Sequence, residues 1–302
     1  MRMGFLPRLG RVRVWSIAIY VGHSPFTVSP PADFVNPVLT AQDVTDLRAR
    51  YVADPFLLRH GATWYMFFEV VDQASTCGKI AYARSEDGWQ WTYGGVVIDE
   101  PFHVSYPYVF PWQDDIYLVP ESGAVKAVRL YRASSFPTRW EFVRPLLVGE
   151  PYADSSLLYH DARWWMFTVS DPQRNDSLRL YSAEHLEGDW TEHPCSPVVA
   201  ANPHQARPGG RVFTHEGRLF RYAQDVVPHY GRQVWGVEIT ALTPTYYAER
   251  LVQEQPILCG SGRGWNALGM HHVDVQPLAD GRWLACVDGH RKVLRCGFTW
   301  RR

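Results

Sequence analysis

The 302-residue chain carries 30 Lys plus Arg against 31 Asp plus Glu, a formal net charge of −1, with no run of like charge. That balance speaks against the basic footprint of a nucleic-acid binder or of a protein held on an anionic membrane. The length allows a sizeable core in one large all-β domain, and 22 prolines and 23 glycines disfavour long helices.

The N-terminal "MRMGFLPRLGRVRVWSIAIYVGHS" superficially imitates an export signal, but its apolar part is only "WSIAIYV" and no small-residue cleavage site follows convincingly. No window approaches the length of a membrane span. Cys77, Cys195, Cys259, Cys286 and Cys296 are odd in number and lack CxxC spacing, so they read as free thiols, not as a disulfide framework or a zinc site. A soluble cytoplasmic protein is expected, with export left open.

From Ala53 onward one plan recurs: a short apolar strand, a polar turn, then an aromatic-rich strand ending in an acid. The five copies are "ADPFLLRHGATWYMFFE", "SYPYVFPWQDDIYLVPE", "ADSSLLYHDARWWMFTVSD", "GGRVFTHEGRLFRYAQD" and "HHVDVQPLADGRWLACVD". Gly and Asp in "RHGAT", "WQDD", "YHDAR", "THEGR" and "LADGR" mark each as an antiparallel hairpin. Two further strands follow the first four hairpins, most clearly in "GKIAYARSEDGWQWTYGGVVI". After the fifth only "HRKVLRCGFTWRR" remains, while "VWSIAIYVGHSPFTVSPPADFVNPVL" near the beginning has the missing strand pattern. The pattern predicts a single all-β domain over 1–302, a five-bladed β-propeller of four-stranded antiparallel blades, with N-terminal strands helping to close the last blade.

In a propeller the first strand of each blade lines the channel and the second returns beside it, so the start of one and the end of the other meet at one mouth. Those positions hold Asp54 and Glu69; His103, Tyr106 and Glu121; Asp154 and Asp171; Arg207, Arg211, Gln224 and Asp225; and His271, His272, Asp274 and Asp288. Such convergence of acids, arginines and histidines is a candidate site. Plainer readings stand beside it. Asp54 and Asp154 can serve as local turn acceptors, and Asp171, Asp225 and Asp288 read first as solvated turn residues, the Asp288-Gly289 pair above all. Glu69 and Glu121 directly follow "WYMFF" and "IYLVP" and read as site residues. His271 and His272 face opposite ways on a strand, so one alone faces the channel. With Asp274 in phase with His272 a metal is conceivable, but a satisfied core histidine is the simpler reading, and neither metal nor cofactor is expected. Arg207 and Arg211 flank "PGG", where small residues let backbone or ligand approach. They either bind an anionic group or pair with the acids opposite. The 13 Trp and 16 Tyr suit blade packing and also stacking on sugar faces.

"ADPFLL", "ADSSLL" and "ARSEDGWQW" resemble motifs of the five-bladed propeller glycosidases, glycoside hydrolase families 32, 43, 62, 68 and 130. The resemblance implies that Asp54 is the catalytic base or nucleophile and that Asp154 tunes and orients the general acid. Family 43 takes that acid from a Glu of a later blade, where this chain reads "RPGGRVF" and has none, which leaves Glu121 or Glu69 for the role. "ADPFLL", "FFE", "HVSYPYVF", "PES", "LYRASSFPTRW" and "AQD" with "YG" more closely resemble the propeller domain that precedes the glycosyltransferase in plant glucosamine inositolphosphorylceramide transferases, and its stand-alone bacterial relatives.

The expected function is therefore cleavage or transfer of a glycosyl unit of a saccharide or glycoconjugate. Asp54 would be ionised and Glu121 the acid, with Glu69 its rival, Asp154 beside them, and His103, Tyr106, Arg207, Arg211, Gln224, Asp225, His271 and His272 on the substrate side. Two alternatives are a non-catalytic glycan-binding propeller with a separate glycosyltransferase as partner, and a propeller enzyme of non-hydrolytic chemistry.

Overall fold

Alternation of apolar and polar residues between Gly- and Asp-bearing turns produces twenty strands in the computed structural model, which describes residues 7–298. The first, β1 (Pro7–Gly22), finds its partner only at the far end of the chain. Next, β2 (Ala49–His60), β3 (Thr63–Asp72), β4 (Gly78–Ser85) and β5 (Thr92–Ile98) form one antiparallel sheet in chain order. The second is β6 (Ser105–Trp112), β7 (Asp115–Glu121), β8 (Ala127–Ser135) and β9 (Arg139–Val148). The third is β10 (Ala153–His160), β11 (Arg163–Val169), β12 (Leu178–Ala183) and β13 (Thr191–Glu192). In the fourth, β14 (Phe213–His215), β15 (Arg218–Asp225), β16 (Gln233–Leu242) and β17 (Tyr247–Leu251) are joined by a short β18 (Leu258–Cys259) on β16.

The fifth blade runs β19 (Val273–Pro277), β20 (Trp283–Phe298), β1 from the axis outward. Isolated bridges from Val21 to Ser29 and from Ile17 to Leu39 occupy its outer position. The N-terminal strand thus closes the ring, as its pattern predicts. Asp288 and Gly289 lie inside β20, opposite Ile17 and Ser16, and make no turn. The turn reading fails because β20 has a partner from the opposite end of the chain that lets it continue.

Blades pack face to face through large apolar side chains. Phe56 and Phe67 of the first, Tyr108, Val109 and Leu118 of the second, and Leu157 and Met166 of the third form one buried cluster. Full burial of each such side chain contributes about 1.5–3 kcal/mol. No α-helix occurs among the described residues. Cys77, Cys195, Cys259 and Cys286 are free thiols; the Cys296 side chain lies outside the described ones.

The channel-lining strands of the first three blades share one irregularity. Pairing skips at Ala53/Phe56, Ser105/Tyr108 and Ala153/Ser156. Inside each skip one residue adopts the left-handed conformation: Asp54 (φ +54°), Tyr106 (φ +46°) and Asp154 (φ +49°). Left-handed backbone at a non-glycine residue costs of order 1–3 kcal/mol and re-aims the side chain. It recurs here at the corresponding position of three successive blades.

Candidate active site

Asp54 and Asp154 enter one mouth of the channel from their bulges, and Arg207 and His271 enter from the same end of the fourth and fifth blades. The returning strands bring Glu69, Glu121, Gln224 and Asp288.

Arg207 is the hub of one half. It is buried, donates from Nε to Asp154 Oδ2 at 2.5 Å, from Nη2 to Glu121 Oε2 at 3.3 Å and from Nη1 to Asn175 Oδ1 at 2.7 Å, and its guanidinium lies 5.2 Å from the Tyr230 ring centre. Gln224 Nε2 adds a bond to Asp154 Oδ2 at 2.9 Å. Of the two arginine readings, it is the pairing with the acids opposite that Arg207 shows.

Asp288 is the hub of the other half. It accepts the ring Nδ1–H of His271 at 2.7 Å and the backbone N–H groups of Asp54, His271 and His272 at 3.0, 3.3 and 3.1 Å. His271 Nε2 then lies 3.5 Å from Asp54 Oδ1, and Trp15 stacks on the imidazole at 4.0 Å between ring centres. On the rim, His103 accepts the Gly78 N–H at Nδ1 and therefore donates from Nε2 to Glu69, 3.2 Å away.

Carboxylates outnumber their cations in this mouth, and the protons follow. Burial, then the neighbouring Glu69, Asp288, Asp154 and Glu121, hold the Asp54 carboxyl well above the usual carboxylate range. Burial and Asp154 push Glu121 up to about 8 against the pull of Arg207. Burial also acts on Asp288, but His271 and the N–H groups around it win and keep its carboxyl low. These surroundings favour a protonated Asp54, where sequence reasoning takes it as the ionised group.

Several candidates lie elsewhere. The Tyr106 ring sits inside the channel between Phe56 and His272, and its hydroxyl bonds Ser156 Oγ at 2.8 Å and the backbone of Gly210. Gly210 is required there, since at φ +145° any Cβ would lie 1.8 Å from Val273 O. Arg211 is also deep in the channel, bound to Asp274 and to the carbonyls of Leu57 and Val109. Asp225 points to the opposite face from Gln224 and is held by His204, Gln233 and the Val227 N–H. It is buried, so the solvated-turn reading fails for it as well, whereas Asp171 is an exposed turn acceptor. His272 is buried against Phe56 and Tyr106, and burial lowers it to about 4. It is a core histidine. Tyr106→Phe is expected to cost about 1–3 kcal/mol of stability, read in urea unfolding, because it strands the Gly210 N–H.

Sequence reasoning missed Trp15, Tyr230 and Asn175. Trp15 belongs to a segment legible only as a strand, and nothing in the residue types around Tyr230 or Asn175 marks them as neighbours of Arg207. Asp54, His271 and Asp288 offer ligand atoms within 4.8 Å of one another. Asp288 and His271 Nδ1 already satisfy each other, which leaves Asp54 Oδ1 and His271 Nε2, a poor set for a resident metal ion.

This architecture is that of the five-bladed propellers found among glycoside hydrolases. The catalytic domain of a Coprinopsis cinerea GH62 α-L-arabinofuranosidase superposes with a TM-score of 0.62 at 11% identity, over 84% of this chain and 95% of that one. A thermostable family-43 glycoside hydrolase gives 0.59 at 15%, over 87% and 96%. At such identity the likeness is one of fold. Residues 11–290 match the family model of the N-terminal region of glucosamine inositolphosphorylceramide transferase 1, and the chain belongs to that family. It is 37% identical to the Oryza sativa subsp. japonica protein of that name over 92% of this chain and 40% of the relative, and 32% identical to the Arabidopsis thaliana one over 92% and 39%. The chain therefore spans well under half the length of these relatives.

Proposed function

We propose that the propeller acts on a glycosidic bond of a saccharide or glycoconjugate at the acid-rich mouth, by hydrolysis or glycosyl transfer. Glu121 gives a proton to the leaving oxygen, and Asp54, once ionised, acts as base or nucleophile. The observation that carries this reading is the placement of Glu121 at the mouth, held by Arg207 beside Asp154, where burial and Asp154 push its carboxyl up to about 8 and favour the protonated acid at neutral pH. Arg207 touches both Glu121 and Asp154 and holds the acid in place. Its cation is already engaged, so the mouth suits a neutral or amino sugar better than an anionic one. The name shared by the plant relatives, with its glucosamine and its inositolphosphorylceramide, points to the sugar of a glycolipid as the substrate class.

A glycan-binding role beside a separate glycosyltransferase is the second reading. It is favoured by a cavity of about 750 Å³ at the hairpin-turn end of the second and third blades, lined by Trp112, Tyr159 and Trp164 together with Gln113 and Arg163. Tyr159 is 43% exposed, and its ring centre lies 4.5 Å from that of Trp112.

Incubation with a panel of aryl glycosides and glucosaminyl lipids, followed by mass spectrometry and calorimetry, separates the two. Product formation lost in Asp54→Asn and kept in Tyr159→Ala supports the first reading. Binding without product, kept in Asp54→Asn and lost in Tyr159→Ala, replaces it with the second.

A further inference from the structure

Charge that is scattered in the sequence is gathered by the last blade. No acid occurs before Asp33 or after Asp288. Those two acid-free ends are the strands that pair, β1 against β20, in register from Gly22↔Trp283 to Pro7↔Phe298. Beyond the level of Asp288 the pairing continues as a two-stranded ribbon, and from Val14↔Arg291 to Pro7↔Phe298 it extends about 25 Å at the usual strand rise. Arg11, Arg13, Arg291 and Lys292 lie on its inner part, and Arg8 and Arg295 occupy positions further out. Among the described residues no carboxylate pairs with Arg11, Arg291 or Lys292, and all three are exposed. Arg13 donates to Tyr230 O at 3.1 Å, which ties the ribbon to the acid mouth.

Apolar residues interleave with these cations. Leu294 is 65% exposed directly opposite Arg11, and Val12 faces Val293. A strip in which Arg11, Arg291 and Lys292 have no carboxylate partner and Leu294 protrudes suits an anionic bilayer surface, where headgroups take the charges and acyl chains take the leucine. Nucleic acid would use the cations but has no place for Leu294. We infer that the β1–β20 ribbon is a docking strip for a membrane surface rich in anionic lipid. Docked there, the protein would hold its acid mouth beside the lipid headgroups.

The test is flotation of the full chain with vesicles of phosphatidylcholine alone and of phosphatidylcholine mixed with phosphatidylglycerol, beside titration with a DNA duplex. Capture is expected on the anionic vesicles only, and it weakens as salt is raised. The double variant Arg11→Glu, Lys292→Glu should lose at least about tenfold in vesicle affinity with an unchanged thermal midpoint, since both side chains are exposed. Leu294→Ser should weaken vesicle capture severalfold without altering any binding to DNA. Absence of capture by anionic vesicles, capture undiminished in both variants, or DNA bound more tightly than vesicles would overturn the inference, the last by assigning the ribbon to nucleic acid.

Discussion

Glu121→Gln and Asp54→Asn are each expected to lower turnover of a glycoside substrate by about 10²–10⁴-fold, the range of a positioned acid or base, with the fold intact. Both changes are isosteric: Gln keeps an oxygen for the Arg207 guanidinium, and Asn keeps one for the Tyr106 N–H as well as the backbone N–H that Asp288 accepts. The pH dependence should carry their signatures. The proton donor works only while protonated, so kcat/KM falls as pH rises through about 8, where Glu121 loses its proton. The base works only when ionised, and the raised Asp54 delays the rising limb beyond the ordinary carboxylate range. The result is a bell narrowed from its acid side with its falling limb near 8, and in Glu121→Gln that limb should vanish from the residual rate. Stability runs the opposite way. Unfolded chain ionises Glu121 near the ordinary glutamate value and folded chain only near 8, so stability attributable to this group declines as pH rises between the two. Glu121→Gln should therefore be somewhat more stable than the parent at neutral pH, a trade of stability for function. A variant that kept full activity, or a pH profile unchanged by its loss, would remove Glu121 from the acid role.

Arg211→Met is expected to cost roughly 3–5 kcal/mol of stability, measured by urea unfolding, because it leaves a buried carboxylate without its counter-charge. Arg211 Nε donates to Asp274 Oδ1 at 2.8 Å, and Nη2 reaches Leu57 O at 3.3 Å and Val109 O at 3.0 Å, so one side chain ties the first, second and fifth blades across the channel. Asp274 Oδ2 in turn accepts the Leu57 N–H at 2.7 Å. Burial already pushes the Asp274 carboxyl up in spite of Arg211. Replacing both members, as Arg211→Met with Asp274→Leu, should recover a large part of the loss, since a well-packed apolar pair needs no desolvation of charge. Equal losses in the single and double variants would mean that the backbone bonds, and not the ion pair, hold the blades together here. The position was read from sequence as a substrate contact, and the distinction from Arg207 could not be drawn there: four residues apart around "PGG", one arginine reaches the mouth and the other the axis.

The five-bladed fold was legible in the sequence because its signals are local. Strand alternation repeats every two residues, hairpin turns need Gly or Asp at set places, and five copies of one hairpin leave little else to build. The same logic brought Asp54, Glu69, Glu121, Asp154, Arg207, Gln224 and His271 to one mouth. Only the tertiary structure decided which of their neighbours joined them. The bulges at Asp54, Tyr106 and Asp154 hide in "ADP", "SYP" and "ADS", which read equally well as the first residues of regular strands. The Asp288-Gly289 pair carries the signature of a turn, and it becomes the carboxylate beneath His271 because β1 pairs with β20. The even charge of the whole sequence conceals a basic ribbon whose two strands lie at opposite ends of the chain. In each case the deciding contact joins residues remote in sequence, such as the Asp54 N–H and Asp288 Oδ2, 234 positions apart. Local residue patterns determine the blades, but closing the ring determines which carboxylates share protons, and closure is a property of the whole chain.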